Sequence, residues 1–230
     1  MSLEHRFEIA DFMNEHDSFI RFSFRNKHAH EAEPIVQKAI PFIKICQTDV
    51  FVSAGDFLQA SKEGEKALTD TLLKYVGQTK GRVADLFCGI GTFTYALASS
   101  KQPYILAVDE SAPLLENFKK SANKNMLQNI EIKRNNLFLY PLTAAELCSL
   151  DIVVFDPPRA GAKAQMQELI NTNELSRPKK VIAVSCNPKT FARDAKILIS
   201  GGYTLQKITL VDQFVYSDHS ELVALFTNEK

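Results

Sequence analysis

From residue 82 onwards, short apolar runs alternate with helical segments, and this alternation limits the fold more than any other feature of the sequence. The β-type runs are "RVADLF", "YILAVD", "IEIKR", "DIVVFD" and "KVIAVS". Helical patterns begin near Gly91, Ser111, Ala144, Lys163 and Pro188. Regular alternation of strands and helices is typical of a parallel sheet with helices on both faces. We therefore predict a doubly wound, Rossmann-like α/β fold.

The segments on either side of this alternation extend the predicted fold. "SKEGEKALTDTLLKYVG" predicts a helix with Ser61 as its N-cap and Gly77 at its end. Near the C-terminus, "TLQKITLVDQF" and "ELVALFT" leave no room for a helix between them, so the mostly parallel sheet is expected to finish in an antiparallel hairpin. Upstream, the runs "SFIRFSF" and "AIPFIKI" predict a small β-rich segment. We therefore divide the chain into a partial β-rich segment, 1–55, and a main α/β domain, 56–230.

Composition and charge limit the partners and the location of the protein. Of its 230 residues 45% are hydrophobic, 27 are basic and 27 are acidic, so the chain can bury a sizeable core but has no net charge with which to attract a polyanion. The four cysteines form no C-x-x-C pair, which favours reduced thiols over a zinc site or a disulfide framework. No apolar stretch approaches the roughly 20 residues of a membrane span. We expect a cytoplasmic monomer with no metal and no membrane partner.

The residues that follow the first two strands predict a nucleoside-binding site. Ligands of such sheets bind at the carboxyl ends of the strands. In "DLFCGIGTF", Gly89 and Gly91 let the backbone approach a ligand and open a helix N-terminus, and Asp109 follows the next strand, where a carboxylate can accept ribose hydroxyl protons. The third glycine of a dinucleotide loop is replaced by Thr94, which favours S-adenosylmethionine over NAD. Turn glycines with a helix-capping aspartate remain the alternative.

The fourth strand ends in "FDPPRAG", where the rigid pair Pro157 and Pro158 follows Asp156. Proline fixes φ, so Asp156 is expected to project from the strand end into the cleft. An acid followed by two prolines recurs in methyltransferases that act on planar nitrogen, where it accepts a hydrogen bond from the target amine. A turn at a helix start, with Asp156 as its cap, is the alternative.

Cys186 occupies the same position one strand later, directly before Asn187 and a predicted helix N-terminus, which can lower the pKa of a thiol. Nitrogen methylation needs no thiol. Carbon 5 of uracil does, because a thiolate that adds to carbon 6 converts the ring into an enolate whose carbon 5 is nucleophilic. A base must then remove the carbon 5 proton, and Glu221 in "SDHSELVALF" is the candidate. The alternative for Cys186 is a core cysteine.

Together these motifs resemble the RNA uridine-5 methyltransferases, which make 5-methyluridine in transfer and ribosomal RNA. The resemblance covers roughly residues 56–226 and rests on "GDFLQ", "DLFCGIGTF", "DPPRAG", "SCNPKTFARD", "GGYTL" and "VDQFVYSDHSELVALF", in the family's order. It implies a class I methyltransferase domain that uses S-adenosylmethionine, releases S-adenosylhomocysteine and acts on rRNA or tRNA. By position, it implies that Cys186 is the nucleophile, Glu221 the proton acceptor and Asp156 a residue that holds the target base.

The resemblance also implies most of the cofactor contacts. With the glycine loop, the predicted contacts are Gln59, Phe87, Gly89, Gly91, Thr92, Asp109, Asn136 and Asp156. Thr92 stands where the family often has Asn, and Asp109 where it often has Glu, which puts cofactor affinity in question more than cofactor identity.

RNA contacts are predicted at the edge of the same cleft. The basic residues that flank it are Arg159, Lys163, Lys189 and Arg193, although Arg193 also fits a solvated helix face. His219, two residues before Glu221, matches the family's H-x-E spacing and is expected to orient the base or the substrate.

Family members usually carry an N-terminal RNA-binding domain and often an iron–sulfur cluster with four cysteine ligands. The sequence shows neither, so we expect a C-terminal part of a longer protein that binds RNA weakly by itself.

Two functions of other classes remain open from the sequence. One is an N-methyltransferase that acts on a nucleic-acid base or a protein amide, in which Cys186 would be dispensable. The other is a domain that binds cofactor and RNA without catalysing a reaction.

Overall fold

The structure is a computed structural model of the chain and describes residues 1–29, 32–214, 216–217 and 220–228. The helices are α1 (Leu3–Glu15), α2 (Lys62–Val76), α3 (Thr92–Ser99), α4 (Ala112–Lys124), α5 (Ala144–Leu147), α6 (Lys163–Asn171) and α7 (Pro188–Ser200). The strands are β1 (Arg21–Phe24), β2 (Glu33–Gln37), β3 (Phe42–Ile45), β4 (Thr48–Phe51), β5 (Arg82–Leu86), β6 (Tyr104–Asp109), β7 (Ile130–Arg134), β8 (Ile152–Phe155), β9 (Lys180–Ser185), β10 (Thr204–Val211) and β11 (Glu221–Thr227).

The predicted α/β fold is confirmed by a central seven-stranded sheet in the order β10-β11-β9-β8-β5-β6-β7. Strands β5 to β9 pair in parallel, whereas β11 pairs antiparallel with both β9 and β10, which confirms the expected C-terminal hairpin. The chain runs outward from β5 in one direction through β6 and β7, and in the other through β8 and β9. This reversal opens a crevice at the carboxyl ends of β5 and β8, where ligands of such folds bind.

The apolar strands form a parallel sheet because both of its faces are covered. Ile152 and Val154 of β8 pack on one face with residues of α2 and α3, whereas Val153 and Phe155 pack on the other face with residues of α6 and α7. A strand buried on both sides reads as a continuous apolar run, which is the pattern of "DIVVFD".

Helix α2 begins and ends where the sequence predicts. The hydroxyl of Ser61 accepts a hydrogen bond from the Gly64 N–H, and Gly77 ends the helix with a φ of 68°. Leu68 and Leu72 are fully buried against the sheet.

Within the described part of the chain, no helix is both long and apolar enough to span a bilayer.

The N-terminal segment differs in part from its prediction. The two predicted runs form β1 and β3, which pair with β2 and β4, but they are preceded by α1, which the β-rich prediction omitted. The helix was missed because its apolar residues line no buried face. Leu3 and Phe7 are more than 60% exposed, and Met13 is the buried apolar residue of α1.

The hairpin β3–β4 packs into the core of the α/β region. Ile45 and Val50 are fully buried in a cluster with Tyr95 and Phe118. The Phe51 N–H also donates to the Ser121 hydroxyl of α4 at 2.9 Å. The boundary predicted at residue 55 therefore follows a hairpin that shares its core with the neighbouring helices.

Candidate active site

A cavity of about 510 Å³ lies at the carboxyl ends of β5, β6, β8 and β9, and its size suits a small ligand. The predicted site residues that line it are Gln59, Phe87, Gly89, Thr92, Asp109, Asp156, Arg159, Cys186 and Glu221. Of the other predicted residues, Gly91 and Asn136 do not line it, and His219 lies outside the described residues. Six segments that lie far apart in the chain thus meet at one edge of the sheet.

The two glycines of the loop after β5 have different surroundings. A Cβ built on Gly89 meets no protein atom within 4 Å, because this residue faces the cavity. A Cβ on Gly91 would lie 2.8 Å from the Tyr95 ring and 3.0 Å from the Phe118 ring. Both residues have a positive φ, 54° and 96°. Gly91 therefore allows close packing behind the loop, whereas Gly89 leaves room for a ligand.

Asp109 is held in place by the backbone on either side of it. Its Oδ2 accepts the Gly89 N–H and its Oδ1 accepts the Ser111 N–H, both at 2.9 Å. An ionised carboxylate has about four acceptor positions, so each oxygen of Asp109 retains capacity for a ligand hydroxyl. The carboxylate that the sequence predicts as a ribose acceptor is thus oriented by the glycine loop itself.

Asn136 acts behind the cavity and not in its lining. Its side-chain amide donates to the Glu110 carboxylate, and its Oδ1 accepts the N–H groups of Phe138 and Leu139 at 3.0 and 3.1 Å. The neighbours Asn135 and Phe138 line the cavity instead. Sequence reasoning missed both residues, although the aromatic residue in "NNLF" was a signal for an apolar ligand face.

Two aromatic rings contribute an apolar part of the cavity lining. The rings of Phe87 and Phe138 lie 5.2 Å apart with an interplanar angle of 52°. Phe87 has a φ of 61°, so its backbone turns sharply at the end of β5 and brings its ring to the cavity.

Gln59 lines the cavity from the segment before α2, and its Oε1 accepts the Nε2–H of Gln213 at 3.0 Å.

Asp156 and Glu221 place two carboxyl groups in the cavity, and Asp85 lies buried beneath them. Burial, the Glu221 charge and the Asp85 charge raise the pKa of Asp156 to about 8. Burial raises the pKa of Asp85 to about 7, although the Thr94 hydroxyl donates to it at 2.6 Å. Burial also raises the pKa of Glu221. Sequence reasoning missed Asp85, which has no exposed surface.

Cys186 and Glu221 face each other across neighbouring strands. The antiparallel register of β9 and β11 pairs Ser185 with Leu222, and one further step of this register places Cys186 opposite Glu221. Opposite residues of an antiparallel pair point to the same side of the sheet. Both residues line the cavity; Glu221 is buried and Cys186 is half-buried.

The pKa of the Cys186 thiol is raised, so the lowering that a helix N-terminus can produce is outweighed. Burial is the largest cause, followed by the negative charges of Glu221 and Asp156, and the positive charge of Arg159 opposes them. The helix effect is local and small, whereas the two carboxyl groups arrive from other strands. A thiolate therefore forms more readily when these carboxyl groups carry protons.

The basic residues near the cavity differ in their availability. Lys163 and Lys189 are exposed. Arg193 donates through Nε to Asp194 at 2.8 Å and through Nη2 to the Ala160 carbonyl oxygen at 3.0 Å. Arg193 therefore has a structural role. The sequence had suggested a phosphate contact or a solvated helix face for this residue instead.

Among the described residues, no three His, Cys, Asp or Glu side chains cluster as metal ligands.

The chain is similar to several known proteins. It is 42% identical over 193 residues to an uncharacterized RNA methyltransferase of Agrobacterium fabrum, which covers 84% of this chain and 45% of that protein. It is 33% identical over 191 residues to a 23S rRNA (uracil(1939)-C(5))-methyltransferase of Shewanella frigidimarina, which covers 82% of this chain and 41% of that protein. The chain thus spans less than half the length of these relatives.

The fold is also known from solved structures. The crystal structure of a Pyrococcus abyssi tRNA (uracil-54, C5)-methyltransferase in complex with S-adenosyl-L-homocysteine matches with a TM-score of 0.77 and 24% identity, over 94% of this chain and 53% of that one. This likeness confirms the class I methyltransferase fold. A sequence model of the tRNA (uracil-5-)-methyltransferase family matches residues 51–229, and the chain belongs to this family.

Proposed function

We propose that the protein transfers a methyl group from S-adenosylmethionine to carbon 5 of a uridine in RNA, through a covalent bond between Cys186 and carbon 6 of the uracil. The observation that carries this proposal is the placement of Cys186 opposite Glu221, in the cavity that also contains the glycine loop and Asp109. A nucleophile and a base on the same side of one sheet edge suit a reaction in which both act on one planar ring.

The residues on one side of the cavity fit the cofactor. The absence of a side chain at Gly89 leaves space in the cavity for a ligand. The fixed Asp109 carboxylate suits the two hydroxyl groups of a ribose. Phe87 and Phe138 offer apolar rings for a flat heterocycle. When bound, S-adenosylmethionine supplies the methyl group on a positively charged sulfur.

Cys186 starts the reaction. After its thiol loses a proton to water, the thiolate sulfur bonds to carbon 6, and the electrons of the carbon 5–carbon 6 double bond move onto oxygen 4 as an enolate. Carbon 5 is then nucleophilic enough to take the methyl group. Glu221 as a carboxylate removes the carbon 5 proton, the double bond re-forms, and the sulfur–carbon bond breaks to release the thiolate.

Asp156 suits the uracil ring in its protonated form. Because its pKa is about 8, the carboxyl group is largely neutral at pH 7 and can donate a hydrogen bond. Oxygen 4 of the ring gains negative charge when the thiolate adds, so a donor there stabilises the charged intermediate. Arg159 follows in the same loop and lines the same cavity, which adds positive charge near the developing enolate.

The target uridine must leave its base stack to reach this cavity. The thiol and the methyl donor approach different atoms of the ring, so we expect a single-stranded or flipped nucleotide. A fully duplexed uridine that is methylated as fast as a looped one would contradict this. Because the chain has no net charge, we expect weak RNA binding that falls steeply with salt concentration.

Mass spectrometry of nucleosides tests the function directly. After incubation with RNA and S-adenosylmethionine labelled in its methyl group, we expect labelled 5-methyluridine from the wild type and none from Cys186→Ala. Cys148→Ala is the matched control, because Cys148 is exposed and outside the cavity. Labelled N-methylated nucleosides from Cys186→Ala would instead favour a nitrogen methyltransferase, and cofactor binding without any labelled product would favour a non-catalytic domain.

A further inference from the structure

The start of helix α7 is attached to the loop that follows Asp156 and the two prolines. Asn187, Thr190 and Asp194 lie on one face of α7, since their spacings of three and four residues match the helical turn. All three bond to the backbone of residues 159–162. We call this set of contacts the α7 clamp.

The first part of the clamp holds one carbonyl group from two sides. The Nδ2 of Asn187 donates to the Arg159 carbonyl oxygen at 3.0 Å, and the Thr190 hydroxyl donates to the same oxygen at 3.1 Å. Asn187 is also the N-cap of α7, where its Oδ1 accepts the Lys189 N–H at 3.1 Å. Serine or aspartate caps a helix equally well, so capping alone does not require an amide.

The second part of the clamp is buried. Asp194 is 3% exposed, and its Oδ2 accepts the Ala162 N–H at 2.7 Å while its Oδ1 accepts the Arg193 Nε–H. Gly161 has a φ of 74°, and a Cβ there would lie 2.5 Å from the Asp194 carboxylate. The loop therefore approaches α7 so closely that only glycine fits at its centre.

We propose that the α7 clamp sets the separation between the nucleophile and the residues that hold the target base, with Asn187 as the main positioning residue. This inference rests on the proposed function. Cys186 directly precedes Asn187, and Arg159 follows Asp156 by three residues. One side chain thus joins the backbone that carries the thiol to the loop that carries the acid. A misplacement of about 1 Å between reacting groups can lower a rate about 100-fold.

Two variants separate this role from helix capping and from folding. Asn187→Ser keeps an N-cap hydroxyl but is too short to reach the Arg159 carbonyl oxygen. Thr190→Val keeps the shape of the side chain and removes the second donor. Ala192→Ser is the control, since Ala192 is exposed on the same helix and outside the clamp.

The test combines hydrogen exchange with steady-state kinetics on an RNA hairpin. We expect Asn187→Ser to lower kcat at least about tenfold with an unchanged KM for S-adenosylmethionine, Thr190→Val to lower it less, and the control to match the wild type. In the protein without RNA, amide exchange in the peptide 157–166 should quicken about fivefold in Asn187→Ser, as expected for one lost hydrogen bond.

Each other outcome counts against the inference in a distinct way. An unchanged kcat in Asn187→Ser, beside an active wild type, overturns the positioning role and leaves the proposed function intact. A loss of kcat without faster exchange in the loop shows that Asn187 acts elsewhere and not through the clamp. A wild type that makes no 5-methyluridine overturns the proposed function, and the positioning role with it, even where exchange still shows that the clamp holds the loop.

Discussion

The two sides of the cavity hold their acidic groups in opposite ways. On the cofactor side, which comprises Phe87, Gly89, Asp109 and Phe138, the Asp109 carboxylate already accepts two backbone N–H groups at 2.9 Å. On the reaction side, which comprises Asp156, Cys186 and Glu221, burial raises the pKa of all three groups, and neighbouring carboxylate charges raise the pKa of Asp156 and Cys186 further. Under the proposed function, one side is organised to bind before the ligand arrives, whereas the other holds protons that the reaction must move.

This difference follows from where each residue lies on the sheet. Asp109 ends β6 next to the glycine loop, where the Gly89 N–H donates to its carboxylate. Asp156 and Glu221 come from β8 and β11 on either side of β9, which ends before Cys186, so their charges face one another with the thiol between them. We therefore expect changes on the reaction side to affect turnover and protonation, and changes on the cofactor side to affect affinity.

The largest expected effect comes from Glu221→Gln on the reaction side. Without a carboxylate to take the carbon 5 proton, turnover should fall by about 10²- to 10⁴-fold, the usual contribution of general base catalysis. Thiolate addition and methyl transfer remain available, so a covalent complex of protein and methylated RNA should accumulate on denaturing gels. Cofactor affinity should be unchanged. Normal turnover by this variant would assign the base to another group and would remove the contrast between the two sides.

A smaller effect is expected from Asp109→Ala on the cofactor side. Loss of the ribose acceptor should weaken binding of S-adenosylmethionine by about 1–3 kcal/mol, or about 5- to 150-fold in Kd, because ribose hydroxyls would lose their partner. Isothermal titration calorimetry measures this directly. Asp70→Ala on the exposed face of α2 is the control. An unchanged Kd for Asp109→Ala would show that the ribose lies elsewhere.

The smallest expected effect concerns stability and pH. Since the folded-state pKa of Asp156 is raised from 3.8 to about 8, its proton stabilises the fold at low pH, and this contribution is lost as the pH rises through 8. Asp156→Asn removes the titrating carboxyl group, and with it this fall in stability at high pH. Relative to the wild type, the variant should gain about 1 kcal/mol, or about 2–4 °C in Tm, between pH 7 and pH 9.

Thermal unfolding at both pH values measures this difference. A residual fall in stability with pH is expected in Asp156→Asn, because the pKa of Asp85 is about 7 and that residue remains. A pH dependence identical to that of the wild type would show that Asp156 carries no raised pKa.

Sequence patterns predicted those helices and strands whose signals lie within one short stretch of the chain. The apolar run 152–155 and the capped helix from Ser61 to Gly77 formed as expected, because burial on two faces and local capping leave clear signals. Helix α1 gave no such signal, since Leu3 and Phe7 remain exposed.

Long-range contacts explain what the sequence did not predict at the site. The residues after each strand met in one cavity, because carboxyl ends of parallel strands share an edge. The placement of Gly91 and Asn136 behind that cavity depends on the turn of each loop and on neighbours such as Phe118 and Glu110. The raised pKa of Cys186 depends on burial and on Glu221, a residue 35 positions away in the chain, whereas the pattern "SCNP" showed only the helix start.

The most direct test of the covalent mechanism uses the wild-type protein and an RNA hairpin that carries 5-fluorouridine. After thiolate addition and methyl transfer, carbon 5 bears fluorine and a methyl group but no proton, so Glu221 has nothing to remove and the sulfur–carbon bond cannot break. Peptide mapping by mass spectrometry should then find the methylated fluorouridine attached to Cys186, in a complex that requires S-adenosylmethionine. Attachment at another residue, or methylation of uridine in ordinary RNA without any trapped complex, would contradict the assignment of Cys186 as the nucleophile.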